Sequence, residues 1–536
     1  MSLPPGKLEV LWSRLVAAAD EQAAALIRTS FTPIVRDSGD LSAAIFDDRG
    51  WMVAQAVTGT PGHINSLAAS MRHFLERFPQ PAPDDVLITN EPWLSSGQLN
   101  DFTIVTPVFA GTRLLGYVGS TCHAIDIGGR GLSADASEVY EEGLRVLPTR
   151  LYTADGPNQQ LLDLIEANVR MPRLVLGDLH AQVVGNQVGA RAIQALVEEF
   201  DLPDLRELAD QVVERSEQAM REAIEALPDG SYHSELTTDG IGEEPVHVRC
   251  EVRVEGSHLT VDYAGSSAQS DRGINVVLNY TAAYTTYGLK CALAPHVPHN
   301  EGTFRPLTVT APEGSIVNAR FPAAVAARHV VGQFLPFAVM EALAPVAPHA
   351  RMAQGSGNVW LTTIRGTRQE ADPDDGEAEF VTVFFASGGT GARPSRDGLS
   401  STSFPSGIAT TPVEVIEATS PVVVEEKSLR AGSGGDGERR GGLGQRIRVS
   451  VRTDEPWRIS CLADRLRHPA PGLDGGGAGA PGGFHLSDGR VADPKLTTTV
   501  AADGSVTLDL PGGGGIGDPA DRDPDLRRRD ELDGFA

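Results

Sequence analysis

From about residue 355 onward the chain offers almost nothing that a helix can use. Glycine crowds it, most densely in GSGGDGERRGGLG (432–444) and GLDGGGAGAPGG (472–483). Each glycine costs a helix interior about 1 kcal/mol relative to alanine, because its backbone has more freedom to lose. Strand and loop are what remain. Such runs serve either as flexible linkers or as backbone packed into turns that need positive φ. Strand-like segments lie close to them, Ile447 to Val451 and Thr498 to Leu510, and this favours ordered loops.

Ahead of that region the pattern is mixed. Leu8, Leu11, Trp12, Leu15 and Ala19 recur at helical spacing, so an amphipathic helix is predicted over 7–30. LSAAIFDDRGWMVAQ (41–55) sets a DDRG turn between two apolar runs, a hairpin signal. A helix over 63–78 follows, with Ile64, Leu67, Met71 and Phe74 on one face. Strands dominate 85–123, where Pro107 argues for an edge position or a bulge. Helical text returns over 158–200 and 205–226 and stops at Leu227-Pro228-Asp229-Gly230. Val246 to Val254 and Leu259 to Tyr263 alternate like paired strands across an EGS turn, while Thr281 to Leu293 and His329 to Leu343 are helical. The expected fold is a multidomain α+β protein, with mixed sheets and helices and a glycine-rich β C-terminal half. Three regions are expected: an N-terminal α/β region (1–228) carrying the candidate site, a central α+β domain (229–354) and a mainly β C-terminal region (355–536).

At 536 residues the chain is too long for one core. A net charge of −26 argues against a nucleic-acid backbone as partner and against an anionic membrane surface. Cys122, Cys250, Cys291 and Cys461 are scattered without CxxC spacing, which suits reduced thiols in a cytosolic protein. The N-terminus lacks the compact apolar run of a signal peptide. No apolar run reaches the roughly 18 residues of a membrane span, and the expected location is the cytoplasm. Neither a P-loop nor a dinucleotide-binding GxGxxG in its proper context occurs.

The candidate chemistry concentrates between Asn90 and Gly143. Asp101 and His123 fall beside predicted strands, with Asp126 just beyond in HAIDIGG (123–129). Carboxylate and imidazole on strand ends can hold a divalent metal; isolated Asp and His residues also serve as turn caps or satisfied core polars. Asp126 either orients His123 through a hydrogen bond or caps the double-glycine turn. Cys122 neighbours His123, but adjacent strand residues face opposite ways, so a Cys–His nucleophile pair is not expected. His63, in GHINS (62–66), can reach the pocket, although a histidine at a helix start is usually structural. Glu141 and Glu142 look like a solvated turn, with one of them able to complete a polar site.

Several segments resemble, in order, the hydantoinase B/oxoprolinase family, the HyuB-type subunit. They include LIRTSFTPIVRDSGDLSAAIFDDRG (26–50), where the family's Asp-Phe-Ser becomes Asp40-Leu41-Ser42, then GHINS, GQLNDFTIVTPVF (97–109), HAIDIGG and EVYEEGLRVLPTRL (138–151). VDYAGSSAQ (261–269), VPHNEGTFRPLTVTAPEGS (297–315), GGTGARPSRDG (388–398) and PGGGGIGDPADRDP (511–524) continue the match. The family includes alpha subunits of acetone-type carboxylases and the C-terminal half of 5-oxoprolinase. In its carboxylase branch a divalent metal sits on a His-x-x-Asp pair plus a second His. The matching positions here are Gln98, Asp101 and His123, so an amide, a weak neutral donor, replaces the first imidazole. Three readings stand open: a metal (Mn, Zn or Fe) on Gln98, Asp101 and His123; a metal-free acid–base pair of Asp101 and His123; or a degenerate site.

The resemblance implies a hetero-oligomer in which a HyuA-type ATPase partner, not this chain, binds ATP and phosphorylates a carbonyl oxygen. This chain then receives the activated intermediate, with His123, Asp101 and Asp126 as the expected catalytic residues. The implied activity is ATP-dependent opening of a cyclic amide of hydantoin or 5-oxoproline type. The alternatives are an alpha-type subunit of an acetone or ketone carboxylase, and a non-catalytic structural subunit.

Overall fold

The computed structural model describes residues 4–57, 59–370 and 378–535. It opens with helix α1 (Pro5–Thr29) and the short α2 (Pro33–Arg36), then the hairpin β1 (Leu41–Asp47) and β2 (Met52–Gln55). Helix α3 (Pro61–Arg77) follows, then β3 (Val86–Thr89), β4 (Asp101–Ala110), β5 (Arg113–His123), α4 (Val139–Glu142), β6 (Thr149–Thr153) and β7 (Gly156–Pro157). These strands form one seven-stranded sheet in the order β2-β1-β5-β4-β3-β6-β7, and every pairing is antiparallel.

The sheet is covered on both faces, and strand alternation decides what goes where. Leu41, Ala43 and Ile45 of β1 and Val118 and Cys122 of β5 pack with Leu8, Leu11 and Leu15 of α1. Ala44, Phe46 and Tyr117 turn the other way, onto Ile64, Leu67, Met71 and Phe74 of α3. Each fully buried leucine contributes about 1.5–3 kcal/mol, which fixes the register: a one-residue slip would exchange the two faces. Pro107 pairs with Tyr117 on one side only, beyond the last residue of β4 that β3 reaches, and a bulge follows at Val108/Phe109. Its missing N–H therefore costs no ladder bond.

The long helical stretch divides at Pro172 into α5 (Gln159–Asn168) and α6 (Pro172–Glu199), because the residue before a proline is pushed out of helical φ/ψ. Helix α7 (Arg206–Glu225) ends the N-terminal part. A second sheet, ordered β11-β10-β9-β8, is built from β8 (Gly230–Ile241), β9 (Glu244–Glu255), β10 (His258–Asp262) and β11 (Leu307–Thr310). It is mixed, since β10 and β11 run parallel. Helix α8 (Leu278–Leu293) lies between β10 and β11 in sequence; α9 (His329–Gly332) and α10 (Leu335–Leu343) come next, separated where Pro336 starts a fresh turn.

The remaining chain is mainly β, with two short helices, α11 (Val413–Thr419) and α12 (Pro524–Leu532). Strands β12 (Trp360–Thr367) and β13 (Glu379–Ala386) join β16 (Trp457–Cys461) and β18 (Thr498–Val500) in one sheet. The other sheet holds β14 (Val422–Leu429), β15 (Gln445–Val451), β17 (Gly483–Leu486) and β19 (Ser505–Asp509). Trp360, Phe384 and Trp457 of the first sheet share a core with Val449, Val506 and Leu508 of the second. The glycine runs are ordered loops bonded to one another: Gly435 N–H donates to Gly513, Gly513 to Gly442, Gly442 to Thr390 and Gly515 to Gly477. The α+β architecture with several sheets agrees with the expectation from sequence.

Candidate functional site

One rung of the first sheet carries the site. Asp101 opens β4 and His123 closes β5, and the two are directly opposed residues of that antiparallel pair. Asp40 precedes β1, and its carbonyl accepts from the His123 N–H at 3.3 Å. Even spacing from Phe46 and Tyr117 places Asp40 and His123 on the α3 face. The third residue of α3, His63, comes down onto this rung. Its Nε2 is 3.0 Å from Asp101 Oδ2, and its Nδ1 is 3.5 Å from Asp40 Oδ1.

Gln98 and Arg328 complete the group. Gln98 Nε2 donates to Asp101 Oδ1 at 2.7 Å and lies 2.9 Å from His123 Nδ1. His123 Nδ1 is itself 2.9 Å from Asp101 Oδ1. Arg328 donates to Asp101 Oδ2 at 2.5 Å and to the Ser96 carbonyl at 2.5 Å, with its guanidinium 4.0 Å above the Tyr280 ring. All of these side chains are enclosed: Asp101 is 0% exposed, His123 1%, Arg328 2% and Gln98 4%. A cavity of about 320 Å³ is lined by Phe31, Ile34, Ile125, Met171, Leu174 and Val383, but by none of Asp40, His63, Gln98, Asp101, His123 or Arg328. The Ile34 carbonyl, on the main chain of this wall, accepts the Asp40 N–H at 3.1 Å.

The electrostatics follow from burial and charge. Desolvation alone would push the Asp101 carboxyl up, but His63 and Arg328 outweigh it and hold the acid well below its ordinary range. Desolvation works against charging His63, and the Asp101 and Asp40 carboxylates win there too, so its pKa is raised. His329, on α9 beside the cluster, goes the opposite way: burial and the adjacent Arg328 push it down to about 3, so it is neutral. Among the described residues His123 Nε2, Gln98 Oε1 and Asp40 Oδ1 make no hydrogen bond, the last having only His63 Nδ1 near it at 3.5 Å.

Asp101, His123 and Gln98 thus come together. Asp126 does not join them: both its oxygens accept from Arg170, and it makes no hydrogen bond to His123. Its short backbone distance from His123 in sequence is undone by the turn at 124–126, which aims it at the start of α6. Cys122 faces the α1 side, and burial raises its thiol well above the usual range, so it is no thiolate. Glu142 is not a solvated turn residue. It is 2% exposed and its Oε1 accepts from the Val325 and Ala326 N–H groups. Burial pushes its carboxyl up to about 8. Arg328 is absent from the sequence-based expectations, although a lone arginine in the apolar run AAVAARHVVGQFLPF (323–337) is a charge that must find a partner.

The donors do not fit the divalent metal that the resemblance implies. Gln98 turns its amide nitrogen, not its oxygen, toward Asp101 and His123, and Arg328 already neutralises the Asp101 carboxylate. Among the described residues no group of three or more His, Cys, Asp or Glu side chains is arranged to hold a metal ion. What remains is a carboxylate–imidazole pair with one ring nitrogen free. That arrangement suits proton transfer.

Comparison with known proteins agrees with the resemblance. The family model for Hydantoinase B/oxoprolinase matches residues 5–519. The chain is 30% identical to the B component of a putative D-/L-hydantoinase of Pseudomonas sp. (strain NS671), over 99% of this chain and 93% of that one. It is 28% identical to the beta component of the caprolactamase of Pseudomonas jessenii, over 97% of this chain and 92% of the other. The crystal structure of the ATP-dependent caprolactamase from Pseudomonas jessenii superposes with a TM-score of 0.88, covering 100% of this chain and 95% of that one at 25% identity. A nucleotide-free acetone carboxylase structure shares the fold, with a TM-score of 0.86 at 19% identity, over 99% of this chain and 78% of that one. The chain therefore belongs to the Hydantoinase B/oxoprolinase family.

Proposed function

We propose that this chain is the hydrolytic subunit of an ATP-dependent amidohydrolase that opens a cyclic amide after a HyuA-type partner has activated the carbonyl. The observation that carries the reading is the His123 ring: its Nδ1 is held by Asp101 at 2.9 Å, and its Nε2 is free. A carboxylate on one nitrogen fixes the imidazole's orientation and stabilises the imidazolium, which leaves the other nitrogen to take a proton from water. Water then adds to the phosphorylated carbonyl carbon, and the C–N bond breaks as the protonated His123 returns its proton to the departing ring nitrogen. A second water hydrolyses the resulting acyl phosphate to carboxylate and inorganic phosphate. Arg328 and His63 keep Asp101 ionised through that cycle. The cavity walled by Ile34, Ile125, Met171 and Leu174 offers an apolar space of a size for an aliphatic ring. Hydantoinase and caprolactamase relatives, which match this chain over nearly its whole length, support a ring-opening substrate class.

The test is an assay of this chain, co-expressed with a HyuA-type partner, with ATP against hydantoins, 5-oxoproline, lactams and, with bicarbonate, ketones. ATP-dependent ring opening is expected, and His123→Asn should lower kcat by about 10²–10⁴-fold, the usual worth of a general base. Carboxylation of a ketone without any ring opening, or full activity in His123→Asn, would overturn the proposal.

A further inference from the structure

The Asp101 carboxylate has no vacancy. An ionised carboxylate offers about four lone-pair positions, and four nitrogens meet them, His123 Nδ1 as a donor in the tautomer that leaves Nε2 bare. Gln98 Nε2 (2.7 Å) and His123 Nδ1 (2.9 Å) stand at Oδ1; Arg328 (2.5 Å) and His63 Nε2 (3.0 Å) stand at Oδ2. The carboxylate favours this orientation of the Gln98 amide, whose nitrogen then also lies 2.9 Å from His123 Nδ1. Turned the other way, it would set two oxygens 2.7 Å apart in a dry site. Its oxygen is therefore directed away from the carboxylate and makes no hydrogen bond.

Arg328 is built in rather than draped across. Its Nε is tied to the Ser96 carbonyl at 2.5 Å, and its guanidinium rests on Tyr280 at 4.0 Å. Gly97 leaves room for it: a Cβ there would lie 2.8 Å from Arg328 Cδ. A guanidinium does not give up its proton in a protein, so this positive charge is permanent. A divalent cation on Asp101 and His123 would have to remove one of the four donors and share the carboxylate with that charge.

We propose that Arg328 stands in for a divalent cation, so that the site of this chain is complete without a metal. Arg328 is then a positioning residue: it neutralises Asp101 and holds it against His123, while the amide at Gln98 replaces a ligand that is no longer needed. The inference rests on the reading that Asp101 and His123 carry the chemistry, but it can be tested without any substrate.

The experiment measures bound metal by elemental analysis in the full chain, produced with Mn, Zn or Fe supplied, together with thermal melting before and after chelation. Wild type is expected to hold far less than one metal per chain and to melt at the same temperature in chelator. Arg328→Ala combined with Gln98→His should gain close to one metal per chain and a metal-dependent rise in melting temperature. Arg328→Lys combined with Gln98→His, which keeps the charge, should stay metal-poor. Stoichiometric metal in wild type, with a lower melting temperature after chelation, would overturn the proposal even if the variants fail to fold. A folded Arg328→Ala/Gln98→His protein that takes up no metal would overturn it as well. A metal-free wild type that opens no ring would sink the functional reading and leave this one standing.

Discussion

His123 of β5 lies directly across from Asp101 of β4, and its Nδ1 stands 2.9 Å from the carboxylate oxygen Oδ1. The contact is a product of the strand ladder rather than of a loop, so its geometry inherits the rigidity of two long paired strands. His63 reaches the same carboxylate from α3, and Arg328 reaches it from the segment before α9. Three separate parts of the fold thus meet on one side chain.

His63 gives the cluster a pH signature. Its pKa is raised in the folded chain, against an unfolded value near 6.5. The folded state therefore binds that proton more tightly. Its stabilising contribution is complete below about pH 6.5 and disappears as pH rises through the raised value. His63→Gln should accordingly lower the melting temperature most below about pH 6.5, with the gap to wild type closing in alkali. Asp101 has the opposite sign. Its depressed pKa contributes above about pH 3.9 and is lost as pH falls through the folded value. Melting curves across the pH range, compared between the two proteins, check this.

Glu142 should make the protein sensitive to alkali. Its carboxyl is pushed up to about 8 by burial, against about 4.3 in an unfolded chain. Between those values the folded state holds a proton that the unfolded state has released, so stability falls with rising pH and levels off above about 8. Glu142→Gln keeps an acceptor for the Val325 and Ala326 N–H groups and removes the ionisation. It should outlast wild type at high pH. Glu142→Ala strands two buried donors at roughly 1–3 kcal/mol each and should melt lower at every pH.

Gly97 and Gly111 separate backbone strain from collision. Both have positive φ, +88° and +63°. Alanine at such a position costs roughly 1–2 kcal/mol. A Cβ at Gly111 meets nothing within 4 Å, whereas one at Gly97 runs into Arg328. Gly97→Ala should therefore displace the guanidinium and cut ATP-dependent activity of the assembled enzyme, while Gly111→Ala loses a similar backbone increment and stays active. Steady-state kinetics on both variants decide it.

The C-terminal glycines allow a parallel comparison. A Cβ at Gly389 would fall on the Gly442 carbonyl, while one at Gly432 meets nothing within 4 Å. Overpacking against backbone costs about 1–3 kcal/mol or more, since no rotamer can absorb it. Gly389→Ala is expected to give poorly soluble protein with a lower melting temperature, and Gly432→Ala, at φ +66°, to lose only the backbone increment of roughly 1–2 kcal/mol. Soluble yield and calorimetry distinguish the two.

Sequence carries the elements whose periodicity is strong: α1, the hairpin around DDRG, α3, and the paired strands that end at His123. Strand β8 escapes it because GSYHSELTTDGI (230–241) is polar and only partly buried, so its alternation is faint. Asp101 and His123 are legible as a pair, since both lie at strand ends within one short stretch. Asp40 and His63 are visible only as neighbours of motifs. Nothing in their spacing says that the β1–β5 pairing and the packing of α3 bring them to the same carboxylate. Arg328 is far along the chain, and no motif ties it to the pair. Glu142 reads as solvated because its neighbours are polar, while the N–H groups that bury it come from residues 325 and 326.

The glycine loops bond across great distances in sequence: Gly389 to Pro511, Gly435 to Gly513, Gly477 to Asp436, Gly515 to Gly477. The bonds from Gly389, Gly435 and Gly515 cannot form until the segment from 511 to 517 has left the ribosome, whereas Gly477 can meet Asp436 before it. Closing such wide loops is slow, because the entropy is lost before the contacts form. The bonds to this last segment therefore come late, and until then Trp360 and Trp457 lack the cover of Val506 and Leu508.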